Sequence, residues 1–219
     1  MKRFLPTILL LFIVFLSANA QKNDFQRRLY FGVGGGPLFS TVDFVPNIFQ
    51  EMHLGFHGGV SAKYISEKNL GMILELNLAQ RGWKEEFPPE STLAYSRTLT
   101  YLEVPIFTHI YFGNKARFII NLGPQMSFLL GNKAKPNQDF VANNPTGTQY
   151  GNPERRFDYG LTGGLGMELN TALGAFDLEG RYYFGLGDIF DNKREADKQK
   201  FSRSAHRVIE GKLTYYFQL

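Results

Sequence analysis

Ser202-x-Ser204 is followed by His206 and preceded by Asp188, Asp191, Glu195 and Asp197. These are a nucleophile, a base and acids of the kinds from which a hydrolase is built. Such groups need only meet in space, so a surface hydrolase is one reading. The mixed-charge run Asp191-Asn192-Lys193-Arg194-Glu195 fits a solvated loop better, and no catalytic residue is assigned. The four histidines are His53, His57, His109 and His206. His53 and His57 are four apart, but no helix pattern brings them onto one face as a metal site would need. Gly34-Gly35-Gly36 lacks the Lys-Ser/Thr ending of a phosphate loop. No metal and no cofactor is expected.

Most other ionisable residues sit inside a two-residue rhythm. Met72-Ile-Leu-Glu-Leu-Asn-Leu78 is apolar at every second place, with Glu75 and Asn77 between; Leu102-Glu-Val-Pro-Ile106 and Phe176-Asp-Leu-Glu-Gly-Arg181 repeat the pattern. Alternate strand side chains point to opposite faces. In a soluble sheet the apolar face is buried, whereas in a membrane barrel it meets lipid and the charges point inward.

The N-terminus favours the membrane. Lys2 and Arg3 precede an apolar run over 8–16, and Ser17-Ala18-Asn19-Ala20 supplies the small residues of a cleavage site. Residues 1–20 are predicted to be a secretory signal peptide and 21–219 one outer-membrane β-barrel domain. Loss of Lys2 and Arg3 takes the net charge from +4 to +2, and no basic stripe points to nucleic acid. The chain has no cysteine, so neither a lipoprotein anchor nor a disulfide framework is available. Aromatics make up 15% of the residues, alongside 23 glycines and no amphipathic-helix pattern, which suits a closed β structure.

Alternation predicts strands near 28–40, 54–66, 69–83, 97–112, 115–130, 156–171, 174–187 and 205–219, joined by short and long connections in strict alternation. The expected fold is all-β: an eight-stranded antiparallel up-and-down transmembrane β-barrel with both termini on the periplasmic side. Residues 131–155, rich in Asn, Pro, Gly and Gln, are expected to be a mobile loop. Pro105 is expected to mark a bulge beside Glu103, since proline donates nothing to a ladder. Tyr64, Trp83, Tyr111, Phe112, Tyr182, Tyr183, Tyr215, Tyr216 and Phe217 are candidates for interfacial girdles.

Strand parity then sorts the charges. Glu75, Glu103, Glu168, Asp177, Glu179 and Glu210 are expected inside with Lys63, Arg81, Arg117, Arg181 and Lys212, and with His57 and His109. Near balance of the two signs predicts pairing across a lumen just wide enough to be filled by side chains. The first strand is too glycine-rich for its faces to be assigned.

Several segments resemble the PorT-type outer membrane β-barrel, or porin-family, proteins of Bacteroidota. They are Leu74-Glu75-Leu76 running to Gln80-Arg81-Gly82, Tyr101-Leu-Glu-Val-Pro105, Asn121-Leu-Gly-Pro124, Gly163-Gly-Leu-Gly-Met-Glu168 and Arg181-Tyr-Tyr-Phe-Gly-Leu-Gly-Asp188. The resemblance implies an eight-stranded outer-membrane barrel, and one family member assists protein secretion across the envelope. Barrels of this kind usually end on an aromatic residue, whereas this chain ends Phe217-Gln218-Leu219. The expected partners are outer-membrane lipid, the barrel assembly machinery and envelope proteins met through the outer loops. A structural, binding or secretion-accessory role follows, with a narrow solute or ion pore and a loop hydrolase as alternatives.

Overall fold

A computed structural model describes residues 25–143, 153, 155–190 and 201–218. Among the described residues the strands are β1 (Arg28–Val45), β2 (Gln50–Glu51), β3 (His53–Glu67), β4 (Leu70–Glu85), β5 (Tyr95–Gly113), β6 (Ala116–Pro136), β7 (Phe157–Thr171), β8 (Gly174–Gly185) and β9 (Arg203–Gln218), with one helix, α1 (Gln138–Asn143). β1 and β3 to β9 pair antiparallel with their sequence neighbours, and β1 also pairs with β9, so these eight strands close into a barrel. Two-residue β2 is a short addition on β4. Closure removes the unpaired edges that a strand in lipid could not tolerate.

The three tight connections are the expected ones. Asn69 (φ 70°), Gly113 (φ 114°) and Gly174 (φ 142°) supply the left-handed backbone that two-residue hairpins require. Gln218 lies beside Tyr30, so both ends of the described barrel are at this turn end. At the opposite, loop end, β6 continues to Pro136 and α1 follows, so only the later part of the expected 131–155 loop lacks regular structure or lies outside the described residues. Asn137 caps α1, its side-chain oxygen accepting from the Phe140 amide at 2.9 Å. The predicted signal peptide and Leu219 fall outside the described residues.

The two faces follow the predicted parity. Met72, Leu74, Leu76 and Leu78 of β4 are exposed, while Ile73, Glu75, Asn77, Ala79 and Arg81 are buried. The apolar outer face runs from Leu29 to Phe39 on β1 and from Phe157 to Leu169 on β7. With strands tilted by about 40°, such stretches make a band roughly 25 Å tall, the height of an outer-membrane hydrocarbon layer. No described helix is long and apolar enough to cross a membrane; the crossing elements are strands.

Two expectations need correction. The ladder loses rungs at Pro105, yet Glu103 and Thr108 keep one register with β6, so no bulge forms there. A register shift lies instead at Thr100/Tyr101, where Leu130 is the extra residue on β6. Trp83, Tyr111, Tyr183 and Tyr216 are buried in the barrel rather than in a girdle, whereas Tyr64, Phe112, Tyr182 and Phe217 do face outward. Each buried ring shares the parity of an inward charge: Trp83 with Arg81, Tyr111 with His109, Tyr183 with Arg181 and Tyr216 with Lys212. The glycines of β1 are also explained. A side chain on Gly32 would meet the Tyr216 ring at 2.6 Å, so glycine here makes room for a large inward residue opposite.

Candidate functional site: the charged lumen

Parity sends charges from seven of the eight barrel strands, all but glycine-rich β1, into one narrow space, where each must find a partner or destabilise the fold by several kcal/mol. They are met in three layers. At the turn end, the Lys63 ammonium contacts Glu168 and lies 3.2 Å from Asp177, while Arg117 donates to Glu168 at 2.7 Å. Lys63 also sits 3.8 Å from the centre of the Tyr216 ring. Asn170 donates to Glu168 at 2.9 Å, leaving that carboxylate fully used.

The middle layer centres on Glu75. Arg181 grips it with two parallel hydrogen bonds of 2.8 and 2.9 Å, the geometry in which guanidinium–carboxylate pairs are strongest. Lys212 donates to it at 2.6 Å and Asn77 at 2.9 Å. Arg181 also reaches Glu179 at 2.7 Å, and the chain continues through Asn121 to His109. The Phe107 ring packs 4.7 Å below the guanidinium.

Nearer the loop end, Arg81 contacts Glu103 and donates to Asp158 at 3.2 Å, between the rings of Tyr183 and Tyr101. Tyr183 donates to Asp158 at 2.8 Å. Glu210 approaches His57 only to 3.9 Å, too far for a hydrogen bond.

The predicted interior set is therefore inside, and the structure brings it together in clusters. Sequence reasoning missed Asp158, Glu85 and Arg97, all buried. Asp158 has the parity of Glu168 on the same strand, and Arg97 that of Glu103, so the signal was present. Glu85 lay beyond the predicted end of β4, and His206, considered only as a group of a surface hydrolase, is buried in the barrel at 3.3 Å from the Tyr101 hydroxyl.

Apolar plugs close both ends of the polar column. Tyr30, Ile65, Tyr111, Ile119, Ala175 and Tyr216 form the floor at the turn end. At the loop end, Phe44 packs edge-on against Trp83 at 5.3 Å and Tyr95 against Phe140 of α1 at 4.9 Å. Val42, Leu99, Tyr101 and Ile189 complete this lid. The described side chains thus stack through the interior as a polar column between two apolar clusters.

The groups considered for hydrolysis point elsewhere. The Ser204 oxygen accepts from the Ile189 and Phe190 amides at 3.2 and 3.1 Å, while Ser202 donates to the Val45 carbonyl. Ser204 and His206 are committed to different partners. Asp188 accepts from the Ser204 amide; Asp191, Glu195 and Asp197 lie outside the described residues. Among the described residues no group of three histidines or acids is arranged to hold a metal.

A family model described as "Outer membrane protein beta-barrel domain" matches residues 19–191. No curated protein matches the chain. Solved structures of similar fold include Ail, the attachment invasion locus protein of Yersinia pestis, in complex with the heparin analogue sucrose octasulfate, at 16% identity over 87% of this chain and 99% of that one, with a TM-score of 0.45. OprG from Pseudomonas aeruginosa is 10% identical over 88% and 97%, with a TM-score of 0.49. Neisserial surface protein A is 12% identical over 88% and 100%, with a TM-score of 0.45.

Proposed function

From the premise that the chain belongs to the outer membrane protein β-barrel domain family, we propose that it is a closed, non-enzymatic barrel of the bacterial outer membrane that acts by binding at its loop end. The observation that carries this reading is the filled lumen: three ion-paired layers between an aromatic floor and an aromatic lid. A conducting pore needs a continuous aqueous path, whereas here Arg81 and Lys63 each bridge two carboxylates from other strands, and Arg181 joins Glu75 of β4 to Glu179 of its own strand.

Residues 1–20 would act as the export signal, with cleavage after Ala20. Assembly machinery would insert the barrel, lipid would cover its apolar face, and envelope proteins would meet the loops. The motifs from Leu74 to Asp188 support a PorT-type kinship within Bacteroidota, and with it a structural or secretion-accessory role.

Planar-bilayer recording of the purified mature protein tests closure. The expected outcome is no stepwise current; reproducible unit conductance from the unaltered protein would establish a narrow pore instead. A hydrolytic activity abolished by Ser202→Ala or His206→Ala would overturn the non-enzymatic reading.

A further inference from the structure

The outward face of β1, β8 and β9 changes chemistry at one height. Phe39 lies opposite Ile209, and both are exposed on the apolar side. One outward step nearer the loop end, Thr41 lies opposite Arg207. Above this boundary the chain is held in place. β1 pairs with β3 as far as Ser40, and Gln50 takes over the vacated edge: its side-chain oxygen accepts from the Val42 amide at 3.1 Å and its nitrogen donates to the Val42 carbonyl at 2.7 Å. The Glu86 amide donates to the Phe49 carbonyl at 3.0 Å, which ties the same segment to the end of β4. Between this segment and the strands opens a cavity of about 580 Å³, whose lining includes Thr41, Asp43, Phe49, Glu86, Tyr182 and Arg207.

The charges of this cavity are fixed and balanced. Arg207 donates to the Gly185 and His206 carbonyls and to Asp43, each at 3.0 Å, and its guanidinium lies 3.8 Å from the centre of the Phe184 ring. Arg203 contacts the same Asp43 oxygen at 3.2 Å. Two guanidiniums thus stand with the carboxylates of Asp43 and Glu86, and the four charges cancel. An anion or a cation would meet repulsion as well as attraction here. A neutral ligand that both donates and accepts meets neither penalty: the carboxylates accept from it, and the hydroxyls of Thr41 and Tyr182 do both. Phe49 is 76% exposed, which leaves an aromatic face open beside these polar groups. A few placed polar groups next to an aromatic surface, in a volume of this size, are what a small-molecule site requires.

We propose that this pocket binds a neutral sugar residue at the membrane surface, its hydroxyls meeting Asp43, Glu86, Thr41 and Tyr182 and one C–H face lying on Phe49. A pyranose carries the matching mixture: hydroxyls that donate to carboxylates and accept from other donors, and an apolar face for an aromatic ring. The position just above Phe39 and Ile209 puts the pocket at headgroup height. It is therefore within reach of a sugar on a glycolipid of the same leaflet as well as of a soluble glycan. The proposal rests on the reading of the loop end as the binding face and narrows it to one ligand class. It does not depend on closure of the lumen, so conductance tests one and the following experiment the other.

The full mature chain in phosphatidylcholine nanodiscs is titrated with maltotetraose, mannotetraose and galactotetraose by saturation-transfer NMR. A second preparation carries a monohexosyl diacylglycerol in the disc, and amide hydrogen exchange is followed over 42–50 in both. Saturable binding of at least one probe is expected, with slowed exchange of these amides. Protection by a free tetraose identifies a soluble glycan as the source, and protection only in the glycolipid disc identifies a lipid-borne sugar; either supports the site. Phe49→Ala should weaken binding roughly fivefold. Glucose 6-phosphate and glucosamine should bind no more tightly than glucose, a comparison that needs no protein variant. Absence of binding and protection with every probe would overturn the proposal. So would tighter, salt-sensitive binding of glucose 6-phosphate, which would identify an anion site. Sugar binding that Phe49→Ala leaves unchanged would overturn this pocket while leaving the loop end as a binding face.

Discussion

The middle and loop-end layers of the lumen use the same chemistry with different completeness. Around Glu75, both carboxylate oxygens are taken by Arg181, Lys212 and Asn77. Around Arg81, the guanidinium Nε, one oxygen each of Asp158 and Glu210, the Ser127 hydroxyl and the Gln125 amide nitrogen have no protein hydrogen-bond partner. Buried polar atoms without a protein partner recruit water. The middle layer has orphans of its own at Arg181 Nε and His109 Nε2, but its central carboxylate is fully matched, whereas the loop-end layer leaves carboxylate oxygens open. The two layers also join different strands: the Glu75 layer secures β4, β8 and β9 to one another, and the Arg81 layer joins β4 to β5 and β7.

The largest effect is expected from Glu75→Ala, which leaves Arg181 and Lys212 buried with one carboxylate fewer between them. Removal of one partner from a dry pair costs about 3–5 kcal/mol. Urea unfolding of the mature protein in detergent should show that loss, and an unchanged midpoint would mean that the middle layer is wet. Glu103→Gln is expected to cost less, about 1–3 kcal/mol, since Asp158 still pairs with Arg81 and the amide keeps an acceptor. If Glu103→Gln proves as damaging as Glu75→Ala, the contrast between the layers fails.

Much of this arrangement was legible because period-two parity is a hard constraint: once Leu74 faces lipid, Glu75 must face the lumen. Parity put thirteen charges and histidines on the inner face without naming a single pair, because partners such as Lys63 and Glu168 are far apart in sequence and meet only across the closed barrel. The aromatic lid was hidden for a related reason. Trp83 and Tyr95 belong to strand extensions above the lipid band, where outward residues turn polar at Gln80 and Thr100 and the lipid signal stops. The bulge at Leu130 was invisible too; Pro105 offered a better chemical excuse, but the backbone there keeps its register by forgoing rungs.

The smallest effect sharpens the contrast from outside. Lys84 and Glu51 form a 2.6 Å pair at the loop end, joining β4 to the short strand β2, with both side chains about half exposed, at 51% each. Its geometry matches that of Lys212 with Glu75, also 2.6 Å, so distance alone would assign the two pairs equal weight. Exposure separates them: water screens the surface pair and solvates either partner once the other is gone. Glu51→Gln should therefore change stability by about 0–1 kcal/mol and lose even that in high salt. A cost near that of Glu75→Ala in the same urea titration would show that short ion pairs in this barrel stabilise regardless of burial, and the distinction between dry and wet layers would lose its basis.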